Sequence, residues 1–291
     1  MKIYYWNIHD NFGDLINPWL WPKLFPDIVT GELPKTKDGI EAAPNETLLV
    51  GIGTLLNERF PICKEAYVMG SGVGYGPAPK FGDNVNVYCV RGPLSAEKLS
   101  LPKCYGIVDP GILIKNYFSQ SAKKNHKISY MPQISSVVHC PGVWEKACND
   151  LGFGYMDPTH SVEETVARIG STEILLTESM HGAIIAEALR IPWIPIVTRP
   201  EILSFKWQDW CNSVGLDYEP VRITSLDQTN STNILKRIRA KGLYAMAKSQ
   251  LKKAAQGKAF LAEDAIVDQK IANLEEVYDK FRQDWAKKKA G

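Results

Sequence analysis

Residues 173–197 read EILLTESMHGAIIAEALRIPWIPIV, and this stretch decides the class of fold. Its first apolar run, 174–176, predicts a strand, and the pattern at about 181–189 predicts a helix. The helix is apolar on nearly all sides, which is typical of a helix buried against a sheet. Pro192 ends the helix, and the apolar residues after it predict a second strand. The stretch therefore predicts a strand, a helix and a further strand.

His181 lies at the start of this predicted helix. The first N–H groups of a helix lack partners within the helix and carry partial positive charge, which favours a bound phosphate or carboxylate. Thr177 or Ser179 is placed to supply the capping oxygen. Two interpretations stay open from this segment alone. His181 either titrates beside an anionic substrate or only caps the helix.

The same alternation of apolar runs and helix patterns continues on both sides of this stretch. The first half contains the runs KIYYW, TLLVGIG, AYVMGSG and VNVYCV, followed by a helix pattern at PLSAEKLS. The second half contains KISYMPQ and helix patterns near 143–151 and 162–169. Strands that alternate with helices are typical of parallel sheets covered by helices. We therefore predict an α/β protein.

The predicted domain boundaries follow from breaks in this alternation. The polar stretch SQSAKKN at 119–125 interrupts the pattern and is the best candidate for a linker. We predict two Rossmann-like domains that face each other across a cleft, at 1–122 and 123–230, and a helical extension at 231–291.

The predicted extension contains a basic strip and a charged helix. Gly242 and Gly257 are predicted breaks, and residues 262–288 predict an amphipathic helix. Residues 235–258 hold eight basic residues and no acid, which leaves −6 for the rest of a chain whose formal net charge is +2. Such a strip either is a solvated helix face or attracts anionic lipid at the inner membrane surface. Its basic residues are Lys236, Arg237, Arg239, Lys241, Lys248, Lys252, Lys253 and Lys258.

Composition excludes several classes of protein. The chain has 291 residues and 45% hydrophobic content, as expected of an ordinary globular protein. No apolar stretch approaches the roughly 20 residues that span a bilayer, and no signal-peptide pattern opens the chain, so we expect a cytoplasmic protein. The six cysteines form no CxxC pair, which predicts reduced thiols and no structural zinc. No nucleic-acid reader motif accompanies the basic strip, so no nucleic-acid partner is expected.

In the first half, candidate site residues follow predicted strands, where open α/β sheets bind ligands. Asn11, Gly13 and Asp14 lie between the opening strand and the first helix, which Asp14 is also placed to cap. Arg91 follows the run VNVYCV, and its planar guanidinium suits bidentate binding of carboxylate or phosphate. A surface salt bridge is the alternative for Arg91. The nearby glycines, at 51–53 and 70–74, complete neither GxGxxG nor a Walker loop.

In the second half, Arg199 follows the strand after the His181 helix, and Lys206 lies a few residues further on. Together with Arg91, these cations and the histidine predict a site for a small anion of two or three charges. Glu178, three residues before His181, either orients the imidazole or caps the helix. The chain has no DxD, GxSxG or HExxH motif, so neither a metal-assisted nucleotide transfer nor an acyl-enzyme is expected.

Several segments taken together resemble the polysaccharide pyruvyl transferase family, particularly its succinoglycan-ketolase-like branch. The resemblance runs in order from about residue 1 to residue 220 and so covers most of both predicted domains. The segments that carry it are NFGDLINPWLWPKL, GSGVGYG, VRGPLSAEKL, the DPG at 109–111, ESMHGAIIAEALRIPW and FKWQDW.

The resemblance implies a fold like that of the two-domain (GT-B-like) glycosyltransferases, with the acceptor on the N-terminal side and the donor on the C-terminal side. It implies an enzyme that moves the pyruvyl group of phosphoenolpyruvate onto a sugar, usually as a cyclic ketal. Arg91 and Arg199 would hold the carboxylate and phosphate of the donor, and His181 would do the acid/base work. The family is not known to need a metal, and no cofactor is expected.

Two departures from the family pattern bear on the expected site. Many relatives have Arg-Leu-His where this chain has Ser179-Met180-His181, so Lys206 or the helix N–H groups are expected to replace the arginine. Gln133 stands where close relatives often have histidine. The expected acceptor contacts are therefore Gln133 together with Asn11 and Gly13.

Ketal formation from an enol phosphate needs a proton at C3, attack of a sugar hydroxyl at C2 and departure of phosphate. A histidine moves protons near neutral pH, and fixed cations stabilise a leaving phosphate. Our hypothesis is that His181 becomes protonated as the donor binds and acts as the acid. Asp14 is the expected base for the acceptor hydroxyl, in a polysaccharide or its lipid-linked precursor.

Two other functions stay open from the sequence. One is a GT-B-type glycosyltransferase that uses a nucleotide sugar. Retaining members often have a Glu-x7-Glu pair, whereas Glu178 and Glu187 are nine positions apart, which argues against this alternative. The other is a sugar-binding homologue that has lost catalysis.

Overall fold

The computed structural model describes residues 1–7, 10–35, 43–118, 123–226 and 234–291. It divides into two compact units, each with its own parallel sheet and helices. This confirms the α/β class and is consistent with two Rossmann-like domains. The predicted facing arrangement across a cleft stays a prediction. Among the described residues, no helix combines the length and apolar character needed to cross a bilayer.

The units are not consecutive in the chain. The first consists of Met1–Ile114, Ser204–Asp217 and Ala262–Gly291, and the second consists of Lys115–Leu203 and Tyr218–Leu261. The predicted extension at 231–291 is therefore shared between them. The predicted boundary at residue 122 and most of the predicted linker lie outside the described residues.

The first unit has a five-stranded parallel sheet of order β2-β1-β3-β4-β5. Elements are numbered along the whole chain. The strands are β1 (Lys2–Trp6), β2 (Gly31–Lys35), β3 (Ala43–Val50), β4 (Cys63–Met69) and β5 (Val85–Cys89). The helices are α1 (Phe12–Leu24), α2 (Pro93–Lys98), α7 (Ser204–Ser213) and α9 (Asp264–Ala290), and short 3₁₀ helices occur at Lys103–Tyr105 and Pro110–Asn116.

The second unit has a five-stranded parallel sheet of order β10-β9-β8-β6-β7. Its strands are β6 (His126–Met131), β7 (Gly154–Tyr155), β8 (Thr172–Thr177), β9 (Trp193–Val197) and β10 (Val221–Arg222). Its helices are α3 (Ile134–His139), α4 (Val143–Leu151), α5 (Val162–Gly170), α6 (Met180–Ala188) and α8 (Ile234–Ala254). The predicted sequence of strand, helix and strand at 173–197 is confirmed as β8, α6 and β9.

Helix α1 contains Pro18, which cannot donate the backbone hydrogen bond that the Asp14 carbonyl would otherwise accept. The side-chain amide of Asn17 donates to that carbonyl at 3.1 Å. Asn17 is fully buried and also exchanges hydrogen bonds with the N–H and C=O of Ile52, at 2.9 and 3.0 Å. One buried side-chain amide therefore satisfies the carbonyl that Pro18 leaves without a backbone donor. The same amide attaches α1 to the loop after β3.

Helix α9 joins the first unit because one of its faces is apolar and aromatic. Tyr278 donates from its hydroxyl to the Met69 carbonyl at the end of β4, at 3.0 Å. The Phe281 ring packs at 5.1–5.3 Å from the rings of Phe25, Tyr67 and Tyr88. The predicted amphipathic helix near 262–288 is confirmed, but it is part of a core. Its buried residues are Val267, Ile271, Leu274, Tyr278 and Phe281.

The predicted break at Gly242 is wrong. Helix α8 runs through Gly242 without interruption, whereas Gly257 lies beyond its end. A glycine inside a helix costs only about 1 kcal/mol relative to alanine. Burial of the later part of α8 in the second core, through Ala247 and Leu251, outweighs that cost.

Truncation of Phe281 tests whether α9 belongs to the core of the first unit. Phe281→Ala removes a buried ring, so we expect the free energy of unfolding to fall by about 3 kcal/mol or more. Lys280→Ala is the matched control, because its exposed side chain should change stability by less than about 0.5 kcal/mol. Urea unfolding followed by tryptophan fluorescence measures both variants. Equal effects would contradict this packing.

Candidate active site

The carboxyl ends of β6, β8 and β9 lie at one edge of the second sheet. The three strands are neighbours, with Met131 paired to Thr177 and Thr177 to Pro195. The residues that follow these strands are therefore brought together, as is usual for ligand sites of open parallel sheets. They include two of the predicted site residues, Gln133 and Arg199, and His181 follows shortly after β8.

Glu178 is the buried centre of this edge, with 1% of its surface exposed. Its Oε2 accepts the backbone N–H of Gln133 at 2.9 Å, and its own N–H donates to the Met131 carbonyl at 2.9 Å. The hydroxyls of Ser136 and Thr198, 3.4 Å apart, lie beside the carboxyl. One side chain thus links the ends of β6, β8 and β9.

Burial raises the pKa of Glu178 above the ordinary value of a glutamate. The hydrogen bond from the Gln133 N–H and the nearby hydroxyls of Ser136, Thr198 and Tyr130 act in the opposite direction but do not outweigh burial. The folded protein therefore favours the neutral carboxyl more than the unfolded chain does.

Helix α6 begins next to this carboxyl, with His181 as its second residue. Ser179 is the N-cap, and its hydroxyl accepts the Gly182 N–H at 3.3 Å. A Cβ at Gly182 would lie 2.7 Å from Thr177 Oγ1 and 2.8 Å from Met131 Sδ, so glycine lets the helix start approach the strand ends. His181 is 9% exposed. Of the two residues expected to supply the capping oxygen, Thr177 and Ser179, it is Ser179 that does so.

Arg199 lies two residues after β9, and 12% of its side chain is exposed. Its Nε is 3.3 Å from Oε2 of the exposed residue Glu201. The pKa of Glu201 is lowered by its own backbone N–H first, then by the charge and hydrogen bond of Arg199. An anion that binds Arg199 would compete with this exposed carboxylate, which its own backbone N–H also holds.

Arg91 is a buried structural residue in the first unit. Its guanidinium is fully buried, and Nε donates to Asp209 Oδ2 at 3.0 Å. Nη1 donates to Thr54 Oγ1 and Nη2 to the Val73 carbonyl, both at 2.8 Å. Asp209 also accepts the N–H of Ser95 at 2.9 Å. The expected contact of Arg91 with the donor is replaced here by an ion pair that attaches α7 to the sheet.

The glycines near Arg91 and Trp21 are explained by the packing of side chains from the same unit. A Cβ at Gly72 would lie 2.3 Å from the Arg91 guanidinium carbon, and one at Gly51 would lie 2.2 Å from the Trp21 indole nitrogen. These positions therefore need glycine for packing within the unit. Their backbones are covered by side chains rather than open to a ligand.

The remaining predicted site residues also lie in the first unit. Asn11 precedes α1, and its amide donates to Asp14 Oδ2 at 2.8 Å, so this pair is brought together. Gly13 is buried within the first turn of α1, and Lys206 is half-buried on α7. Their predicted roles with acceptor and donor stay predictions, as does the convergence of cations from both halves of the chain.

Sequence reasoning missed three polar residues. Ser136 and Thr198 belong to the Glu178 cluster, and Asp209 is the partner of Arg91. Thr198 directly follows a strand, so the position that selected Arg199 as a candidate could also have selected Thr198. The sequence around Asp209 contains no feature that indicates its pairing with Arg91. In the part of the chain that the structure describes, no group of three His, Cys, Asp or Glu side chains has the geometry of a metal site.

Comparison with known proteins identifies the family. The family model for polysaccharide pyruvyl transferase matches residues 68–200. The succinoglycan biosynthesis protein ExoV of Rhizobium meliloti (strain 1021) is 37% identical over 253 residues, which cover 85% of this chain and 75% of that protein. The chain belongs to the polysaccharide pyruvyl transferase family.

Membership in the pyruvyl transferase family confirms the predicted activity, transfer of a pyruvyl group onto a polysaccharide by an enzyme. The matched residues include Gln133, Glu178, His181 and Arg199, whereas Asn11, Gly13, Asp14 and Lys206 lie outside the family match. The family thus favours a pyruvyl transferase over a glycosyltransferase that uses a nucleotide sugar.

A comparison with solved structures adds nothing to this assignment. The solution structure of the Escherichia coli RcsC C-terminus, which contains a linker region and a phosphoreceiver domain, covers 88% of this chain and 96% of its own. The two are 12% identical, with a TM-score of 0.21. So low a score carries no argument about fold or function.

Removing Asp209 tests the buried ion pair. Asp209→Ala leaves the guanidinium of Arg91 buried without its carboxylate, so we expect the free energy of unfolding to fall by about 3–5 kcal/mol. The double variant Arg91→Met with Asp209→Leu removes both charges and should recover most of that loss. Asp217→Ala, at an exposed position, is the control. A double variant no more stable than Asp209→Ala would contradict this interpretation.

Glu178→Gln tests the buried carboxyl, because glutamine keeps the shape but does not ionise. Burial raises the pKa of Glu178 in the folded protein above the unfolded value of about 4.3. The contribution of Glu178 to the free energy of unfolding of the wild type is therefore largest below the unfolded pKa. It falls as pH rises toward the folded pKa. The variant lacks this loss, so its stability relative to wild type should rise with pH from about 4 and then level off.

The pH profile is measured by urea unfolding at a series of pH values. Glu163→Gln removes the same formal charge from an exposed position on α5 and should show no such gain. A difference between Glu178→Gln and wild type that stays constant at every pH would contradict a raised pKa of the Glu178 carboxyl.

Proposed function

We propose that this pyruvyl transferase takes its pyruvyl group from phosphoenolpyruvate and forms a ketal on a sugar of a polysaccharide or its lipid-linked precursor. One observation carries the choice of donor. His181 and Arg199 follow adjacent parallel strands at the same edge of the second sheet. A titratable ring and a guanidinium at one sheet edge suit a small molecule that carries both a carboxylate and a phosphate.

Arg199 is the proposed anchor of the donor anion. Its planar guanidinium suits bidentate binding, and the carboxylate beside it belongs to the exposed residue Glu201. The N-terminus of α6 adds backbone N–H groups and partial positive charge. These groups would replace the arginine that many relatives carry at the position of Ser179.

His181 is the proposed acid. It would donate a proton to C3 of the enol phosphate, which converts the methylene into a methyl group and leaves C2 open to attack. One acceptor hydroxyl adds to C2, phosphate leaves, and a second hydroxyl closes the ketal. The two hydroxyls release two protons, of which one restores the imidazolium and the other leaves with phosphate. Histidine suits this exchange because it gains and loses a proton near neutral pH.

Gln133 is the proposed contact to the acceptor. Its backbone is held by the Glu178 carboxyl at 2.9 Å, whereas its side-chain Oε1 has no hydrogen-bond partner among the described residues. A buried carbonyl oxygen without a partner is costly, and a sugar hydroxyl would satisfy it. Glu178 would then hold the turn after β6 in place, and the side chain of Gln133 in that turn would bind the acceptor.

His181→Ala tests the assignment of the acid. We expect phosphate release from phosphoenolpyruvate, with lipid-linked oligosaccharides as acceptor, to fall by about a hundredfold or more. His126→Ala is the matched control, because that histidine is exposed at the amino end of β6, at the opposite edge of the sheet. Unfolding curves establish that both variants fold.

Two outcomes would contradict the proposal. Unchanged turnover of the His181→Ala variant would show that His181 is not the acid. Thermal stabilisation of the protein by nucleotide sugars but not by phosphoenolpyruvate would show that the donor is a nucleotide sugar.

A further inference from the structure

The first turns of α8 expose large apolar side chains. Leu235, Ile238 and Met246 have 76%, 62% and 51% of their surface exposed. These residues are not needed for the core of the second unit, because α8 already buries another set of side chains there. That buried set consists of Ala247, Leu251 and Ala254.

The exposed and buried residues lie on opposite faces of α8. Each residue of an α-helix turns by about 100°, so Leu235, Ile238 and Met246 fall within one narrow stripe. The stripe also contains Gly242, whose exposed backbone adds no side chain. Residues Ala247 and Leu251 fall about half a turn away from the stripe. The helix therefore has one apolar face in the core and a second apolar face directed outward.

Two cations flank the outward stripe. Arg239 and Lys241 fall on either side of it, whereas Arg237 falls on the opposite face of the helix. All three are exposed, and none forms an ion pair with any residue that the structure describes. They belong to the strip at 235–258, which holds eight basic residues and no acid. An exposed apolar stripe between unneutralised cations is the pattern of a helix that lies in a membrane interface.

We propose that α8 docks the protein on an anionic lipid bilayer, with Leu235, Ile238 and Met246 in the headgroup region and Arg239 and Lys241 against the lipid phosphates, while Arg237 adds to the positive charge near the surface. The basic strip alone would suit any polyanion. The apolar stripe selects the bilayer, because nucleic acid and other polyanions offer no apolar layer to receive exposed leucine and isoleucine side chains.

The experiment uses the full chain and vesicle flotation. We expect binding to vesicles of phosphatidylglycerol with phosphatidylcholine and none to phosphatidylcholine alone, with binding weakened by added salt. The triple variant Arg237→Glu, Arg239→Glu, Lys241→Glu should lose at least about tenfold in affinity for the anionic vesicles.

A second triple variant controls for net charge. Lys80→Glu, Lys103→Glu and Lys280→Glu make the same change in formal charge at exposed positions of the first unit and should leave vesicle binding within about twofold of wild type. Equal losses in the two triple variants would overturn docking through α8.

The double variant Leu235→Ser, Ile238→Ser separates lipid from other polyanions. It should lose vesicle binding while its retention on heparin stays as in wild type, since its charge is unchanged. If vesicle binding also stays unchanged, or if wild type binds heparin but no vesicle, the lipid proposal fails. These readouts are independent of turnover, so they hold or fail apart from the proposed donor and acid.

Discussion

The hydrogen bond from the Gln133 N–H to the buried Glu178 carboxyl is the contact on which the candidate site depends. It joins the turn after β6 to the end of β8, and the hydroxyl of Thr198 brings in the end of β9. Parallel register alone places these strand ends at one edge, but it leaves the turns that follow without fixed positions. The carboxyl fixes them, so Gln133 and the start of α6 are positioned by the same group.

The first unit uses a buried charge for a different purpose. Arg91 and Asp209 neutralise each other in the interior, and every nitrogen of the guanidinium donates to a group of the same unit. Desolvation makes such a pair a weak source of stability, but the loss of one partner is costly. The pair therefore specifies where α7 attaches. This explains why Arg91, a charged residue after a strand, has a structural role.

Part of the fold was predictable from sequence because its signals are local. The apolar runs of β8 and β9, and Pro192 between α6 and β9, lie within 25 residues and agree with each other. The attachment of α7 and α9 to the first unit has no local signal. Arg91 and Asp209 are 118 positions apart, and Tyr278 meets Met69 across 209 positions. Periodicity shows that α9 has an apolar face but does not show which sheet covers it.

The same limit explains which site residues were found. Resemblance to the family identified Gln133, whereas position after a strand identified Arg199, because that argument depends only on sheet topology. It also selected Arg91, since sequence does not reveal whether a guanidinium emerges into solvent or turns into the core. The continuous helix through Gly242 has a similar cause. The low helix propensity of glycine predicts a cost of about 1 kcal/mol at Gly242. The packing that offsets this cost comes from residues distant in the chain, which the sequence around Gly242 does not reveal.

The raised pKa of Glu178 fits the electrostatics of the proposed reaction. An ionised carboxyl three residues before His181 would repel the proposed donor, which carries a carboxylate and a phosphate. Burial opposes this repulsion, because it raises the pKa of Glu178 and so favours the neutral form of the carboxyl. The neutral form leaves the partial positive charge of the helix N-terminus available to an anionic ligand. Burial thus makes a glutamate at this position easier to combine with an anion site.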